Sequence, residues 1–205
     1  MKKNFSARGI AIIGVMSAIA GVLSLLDFPI PFIAPSFYKF DFSEIPVLVV
    51  AFAMGPIAGV ITEFVKVLLN LLLNGTVTAY VGELANFVMG CAFILPAGII
   101  YKINHTRKGA LIGMGAGTIF MAVVSALMNA FILLPTYANV FGIPLDGIIG
   151  QGSGIFSFVD SLLTFVIFCT IPFNLFKGII CSLITFLLYK KVSFVIKDIR
   201  DGKTQ

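Results

Sequence analysis

The sequence predicts an all-α polytopic membrane protein with six transmembrane helices, both termini cytoplasmic and the second helix short. Three observations predict it. Of 205 residues, 59% are hydrophobic and only 11% are charged, less than half the roughly 25% of an average soluble domain. A mean hydropathy of +1.08 excludes a soluble globular domain, a disordered tail and a coiled coil. Uncharged runs of membrane-spanning length recur along the chain. A span needs about 20 apolar residues, so residues 1–205 accommodate one transmembrane domain and no sizeable second one.

The first helix is expected over residues 9–26, after Lys2, Lys3 and Arg8. Its apolar run continues past Ala18-Ile19-Ala20, longer than a signal-peptide core, so it reads as a retained span. A loop rich in Pro and aromatics follows, from Asp27 to Asp41. Ser43 is the expected N-cap of a second helix over 44–54, with Pro46 in its first turn. Gly55-Pro56 ends that helix. At eleven residues it is about 16 Å long, too short to cross alone. Further helices are expected over 56–74, 82–101, 109–134 and 172–193. Between the last two lies a Gly-containing segment with its own apolar run.

Charge parity settles the second helix. With helices two and three counted separately, the N-terminus, the Lys102–Lys108 loop and the C-terminal tail share one side. That side carries eleven Lys and Arg and the other only Lys39. A single fused helix would put most basic residues outside, against the positive-inside rule. The net charge of +5 is therefore a topology signal and not a nucleic-acid surface. Cys91, Cys169 and Cys181 lie in apolar stretches as small fillers, and His105 belongs to a basic loop.

Polar groups at membrane depth are costly unless paired or wetted. Glu63, Lys66, Asn70 and Asn74 recur at spacings of three and four and share one face of helix three. Glu63 and Lys66 can pair with each other or serve a site. Asn174 and Lys177 are three apart on the last helix, Glu83 and Asn86 open helix four, and Asn129 sits in the outer third of helix five. All fall in the outer half of the bilayer or near its midplane, converging on one outward-facing cavity. Amides offer a donor and an acceptor each, suited to the edge of a neutral heterocycle. Phe37, Tyr38, Phe40 and Tyr137 can meet its apolar part. The three arginines are all cytoplasmic, so the site lacks the fork that favours phosphate.

On helix one, Ala7, Ala11, Gly14, Ala18 and Gly21 form a face where another helix can approach closely. That helix could belong to this chain or to a separate subunit. Gly113, Gly115 and Gly117 lie in a membrane helix with no preceding strand, so they read as packing positions and not as a dinucleotide fingerprint. The sequence lacks a P-loop, HExxH and G-x-S-x-G. No catalytic residue, metal site or cofactor is expected, and the chain reads as a membrane receptor for a small molecule that draws energy from a partner.

In order and spacing, a set of motifs resembles the substrate-binding S components of energy-coupling-factor (ECF) vitamin transporters, and specifically the riboflavin-specific RibU family. They are Phe28-Pro-Ile-Pro-Phe32, Asp41-Phe-Ser-Glu-Ile-Pro46, Gly55-Pro56 with Ala58-Gly59, Val65-Lys66 with Asn70, Ala85-Asn86-Phe87, Asn129 before Leu133-Leu134-Pro135, and Pro172-Phe-Asn174-Leu-Phe-Lys177-Gly178. The resemblance covers nearly the whole chain. It implies a six-helix subunit in a prokaryotic plasma membrane that captures riboflavin from outside. It also implies partners: a transmembrane ECF subunit and two cytoplasmic ATPases. Phe40, Asp41, Asn174 and Lys177 match the positions that hold the isoalloxazine ring, and Asn129 matches the helix-five amide. Lys66 and Asn86 match other common positions, and Gly14 and Ala18 match the docking motif. One departure is a longer segment between helices five and six, with extra residues Gly147–Gly154, which would form a lid or an added amphipathic piece. Two alternatives remain at this point: an S component for another vitamin or heterocycle, and a small membrane assembly protein that transports nothing.

Overall fold

The computed structural model describes residues 6–76, 78–140, 142 and 144–201, without the side chains of 140 and 189–201. Lys2, Lys3 and Lys203 lie outside the described residues, as do the side chains of Lys190, Lys191, Lys197 and Arg200. Helix α1 spans Ala7–Leu25, and its first turn is capped by the Ser6 hydroxyl, which accepts from the Gly9 N–H. Two short strands, β1 (Phe28–Pro29) and β2 (Lys39–Phe40), pair antiparallel and close the loop that follows. Helices α2 (Glu44–Met54), α3 (Pro56–Asn74), α4 (Val81–Ile103) and α5 (Arg107–Met128) come next. A π-turn, Asn129–Leu133, carries α5 directly into α6 (Leu134–Val140). After α7 (Leu145–Ser153) and α8 (Leu162–Phe165), a second π-turn, Val166–Thr170, leads into α9 (Ile171–Asp201).

Among the described residues, five helical stretches are long and apolar enough to cross a membrane, and α2 is a shorter apolar helix beside them. Ten of the eleven residues of α2 are buried, because it packs against α1, α3, α4 and α9. The glycines explain how the other helices close around it. A side-chain carbon at Gly59 would crowd Ala51 and Ile94, and one at Gly98 would crowd Pro56. On α5, Gly113 and Gly117 press on the Ala97 and Phe93 carbonyls of α4. Gly115 does not share that role, since a carbon there would meet nothing within 4 Å.

Three local expectations are corrected. Ser43 borders α2, but its side chain caps nothing; its N–H and hydroxyl both donate to Asp41 Oδ1. Helix five does not stop at 134 but runs on through the π-turn to Val140. The last helix begins at Leu162 and not at 172, so the apolar run before Thr170 is its first part. The reason is shared. Pro135 and Pro172 each sit two residues beyond a π-turn, where the widened ladder absorbs the N–H that proline lacks. Pro135, which follows an expected helix end, and Pro172, which reads as a helix start, are therefore both interior residues.

Two apolar cores result. One surrounds α2, including Val47, Leu48, Phe93, Ile94 and Met114. The other caps the end of the bundle where α1, α3 and α5 finish and α9 begins, joining Ile30, Phe40, Ile148, Val159, Phe165 and Phe173. Helix α7 belongs to this cap: Gly152 lies against Phe165 and Val159. The segment around Gly147–Gly154 therefore packs into this cap.

Candidate substrate-binding site

A cavity of about 300 Å³ opens between the capped end and the helix bundle. It lies opposite the Lys102–Lys108 loop, on the side that charge parity places outside. Its wall includes Asp41, Glu83, Asn86, Asn129, Tyr137, Asn174 and Lys177, seven residues singled out from the sequence. Two others stand behind the wall. Phe40 is 2% exposed and packs among Phe28, Phe42 and Phe176. Lys66 is 1% exposed and lies beneath Glu44, which itself lines the cavity. On α3, Asn70 reaches the cavity and donates to Ser24 Oγ at 2.9 Å. Asn74 is exposed at the helix end and is not part of the wall. Residues of α7 and α8 contribute nothing to it.

The two π-turns hold the amides in place. Tyr38 donates to Asn129 Oδ1 at 2.6 Å, and its oxygen lies 2.8 Å from the Thr170 hydroxyl. With the phenol proton committed to Asn129, the Thr170 hydroxyl is the donor. Asn129 Nδ2 donates to the Ser125 carbonyl at 2.9 Å. Asn174 Nδ2 donates to Ser125 Oγ at 2.7 Å and to the Thr170 carbonyl at 2.9 Å. The amide orientation follows from these bonds. It leaves Asn174 Oδ1 without a partner among the described residues, as an acceptor on the cavity wall. Asn86 likewise makes no hydrogen bond among them and presents a whole amide.

Beneath the amides lie two ion-paired lysines. Lys177 Nζ donates to Asp41 Oδ2 at 2.8 Å. Burial raises the Asp41 carboxyl, but Lys177 first, then Lys66 and the Ser43 bonds, outweigh it and push it down to about 2. Lys66 Nζ donates to Glu44 Oε1 at 2.8 Å and touches Glu63 Oε1 at 2.7 Å. Glu63 Oε1 meets Lys66 as an ion pair, while Glu63 Oε2 and Glu44 Oε2 have no hydrogen-bond partner among the described residues. A side-chain carbon at Gly90 would overlap the Glu63 carboxyl, so only glycine admits it there. The pairing of Glu63 with Lys66 is real, and it is part of a larger cluster.

Sequence reasoning missed Glu44, Ser125 and Thr170, and used Tyr38 only as an apolar surface. Glu44 carried a signal, a carboxylate at the start of the short second helix, but no helical spacing linked it to another polar residue of that helix. The hydroxyls carried none, since Ser, Thr and Tyr are ordinary in membrane helices. Among the described residues no cluster of His, Cys, Asp and Glu could hold a metal ion, and the three cysteines are free.

The family model for the ECF transporter substrate-specific component matches residues 8–189. The chain belongs to this family. As an S component it is a part of a membrane transporter and not an assembly factor. It is 37% identical over 187 residues to the riboflavin transporter RibU of Staphylococcus aureus (strain TCH60), covering 91% of each chain. It is 31% identical over 197 residues to the riboflavin transporter FmnP of Bacillus subtilis (strain 168), covering 95% of this chain and 97% of that one. A solved structure described as the S component of a bacterial ECF transporter superposes with a TM-score of 0.71 at 36% identity, over 92% of this S component and 96% of that chain.

Proposed function

We propose that this S component binds riboflavin from the outer face of a prokaryotic plasma membrane. It then delivers the vitamin inward with an ECF transmembrane subunit and two cytoplasmic ATPases. The observation that carries the reading is the cavity itself, where Asn86, Asn174 and Lys177 face Phe37, Tyr38, Tyr137 and Phe173. Polar groups there can read a heterocycle edge while rings cover its faces. The names of the relatives support riboflavin as that heterocycle. Asp41, Glu83, Asn129 and Tyr137 complete the contact wall, whereas Phe40 and Lys66 hold it from behind. Protein purified from flavin-supplied cells is expected to carry one flavin per chain by absorbance. A colourless protein that also fails to quench added riboflavin overturns the reading, and a ligand panel then separates another vitamin.

The cavity wall carries Asp27, Asp41, Glu44 and Glu83 against Lys39 and Lys177. A phosphate dianion would meet excess negative charge, so flavin mononucleotide should bind at least about tenfold more weakly than riboflavin, a difference of about 1.4 kcal/mol. On α1, Ala7, Ala11, Gly14 and Ala18 are exposed, while Gly21 faces Leu69 of α3. That supports Gly14 and Ala18 as the docking face for the transmembrane subunit. Gly14→Trp with Ala18→Trp should keep flavin binding and abolish co-purification with that subunit. Efficient uptake by the S component alone in liposomes would contradict the need for partners.

A further inference from the structure

Helices α5 and α9 touch where Gly178 meets Thr118, with room for no side-chain carbon between them (2.7 Å to Thr118 Cγ2). Beside that contact they leave an apolar trough of about 310 Å³, lined by Leu111, Gly115, Ile119, Ile179, Leu183 and Phe186. Gly115 leaves open space, since a carbon there would meet nothing within 4 Å. The walls stay uncovered: Leu111, Ile119, Ile179 and Leu183 are each half exposed or more. Helix α1, with its small-residue stripe, packs on α2 and α3, away from this side.

Charge at the cytoplasmic end says what fits the trough. Arg107 and Lys108 are exposed and precede Leu111 by four and three residues, which puts them on the same helix face. They form no salt bridge among the described residues, and no acidic residue occurs between Glu83 and Asp146. In the chain, Lys190 and Lys191 follow Phe186 by one turn. An apolar trough at membrane depth that ends at Arg107 and Lys108, without a salt bridge among the described residues, matches a lipid with an acyl chain and an anionic headgroup.

We propose that the α5–α9 trough is a binding site for an anionic phospholipid of the inner leaflet. An acyl chain lies along Gly115 and the phosphate meets Arg107 and Lys108. The site is independent of the vitamin cavity. The test is native mass spectrometry of the full chain in neutral detergent, titrated with phosphatidylglycerol or with phosphatidylcholine of the same acyl chains. One retained phosphatidylglycerol is expected, with a preference of about tenfold over phosphatidylcholine. R107Q/K108Q should remove the preference, and Gly115→Leu should fill the trough and displace both lipids. Circular dichroism melting reports folding without reference to any vitamin. Equal retention of the two lipids by the unaltered chain overturns the proposal. So does a preference that survives R107Q/K108Q, or a second polypeptide occupying the trough in place of lipid. Should Gly115→Leu fail to fold, the double charge variant, on the exposed surface, decides alone.

Discussion

Lys66 and Lys177 make an instructive pair of regions. Each is a lysine at membrane depth, three residues after another polar residue, Glu63 or Asn174. Lys177 stands on the cavity wall against one carboxylate, with Ser43 completing the shell of Asp41. Lys66 lies a layer deeper between two carboxylates, behind the cavity wall, with no neutral donor on either of them among the described residues. The same sequence signature thus marks a residue on the cavity wall and one that supports the wall from behind. What separates them is how far the charge can be neutralised by something other than its partner.

Substitutions should widen that contrast. Lys66→Met leaves Glu44 and Glu63 facing each other without their shared cation, and losing one member of a buried pair costs about 3–5 kcal/mol. Thermal unfolding in detergent should fall accordingly, whether or not ligand is present. Lys177→Met should act chiefly on affinity, weakening flavin binding by about 1.5–3 kcal/mol, the value of a hydrogen bond to a charged group. Its melting loss should be smaller than that of Lys66→Met, because Asp41 keeps the Ser43 donors. Equal melting losses would erase the distinction. Gly90→Ala should destabilise by about 1–3 kcal/mol through overpacking against Glu63, and Glu63→Ala in the same chain should recover part of that loss. Asn174→Ala should weaken flavin binding by about 1 kcal/mol or more, since Ser125 and the Thr170 carbonyl lose a partner.

The smallest effect expected is with pH. The Asp41 carboxyl is lowered to about 2 in the folded protein. Its stabilisation is therefore complete above the ordinary carboxylate value of about 3.9 and is lost only as pH falls through the folded value. Flavin affinity measured by fluorescence quenching at about pH 5 and about pH 7 should agree, so far as Asp41 governs it. A fall at about pH 5 would show that the Lys177 pair is not the controlling contact.

Rarity decided what the sequence could reveal. Charges and amides stand out among apolar residues, so Lys66, Lys177, Asn129 and Asn174 were legible, as was the topology from the basic loops. The hidden parts lacked such contrast. Ser125 and Thr170 are common residue types whose importance arises only when α5 and α9 meet. Glu44 finds Lys66 across 22 residues, a separation no helical spacing marks. The π-turns have no compositional signature, and the prolines after them mimic helix boundaries, an end at Pro135 and a start at Pro172. Phe40 was expected at the ligand because aromatic residues suit both a ring-binding wall and the cluster behind it, and its burial decides for the cluster.

The short helix α2 also bears on how the chain enters a membrane. Eleven residues cover about half of a hydrocarbon layer of about 30 Å, and α2 brings Glu44 with it. As a lone segment emerging from the ribosome it has neither the length nor the neutrality to partition into lipid. Its counter-charge, Lys66, arrives 22 residues later on α3, just past the tight reversal at Gly55-Pro56. The charge that α2 carries is therefore matched only when α2 and α3 lie together, so the two helices form one unit.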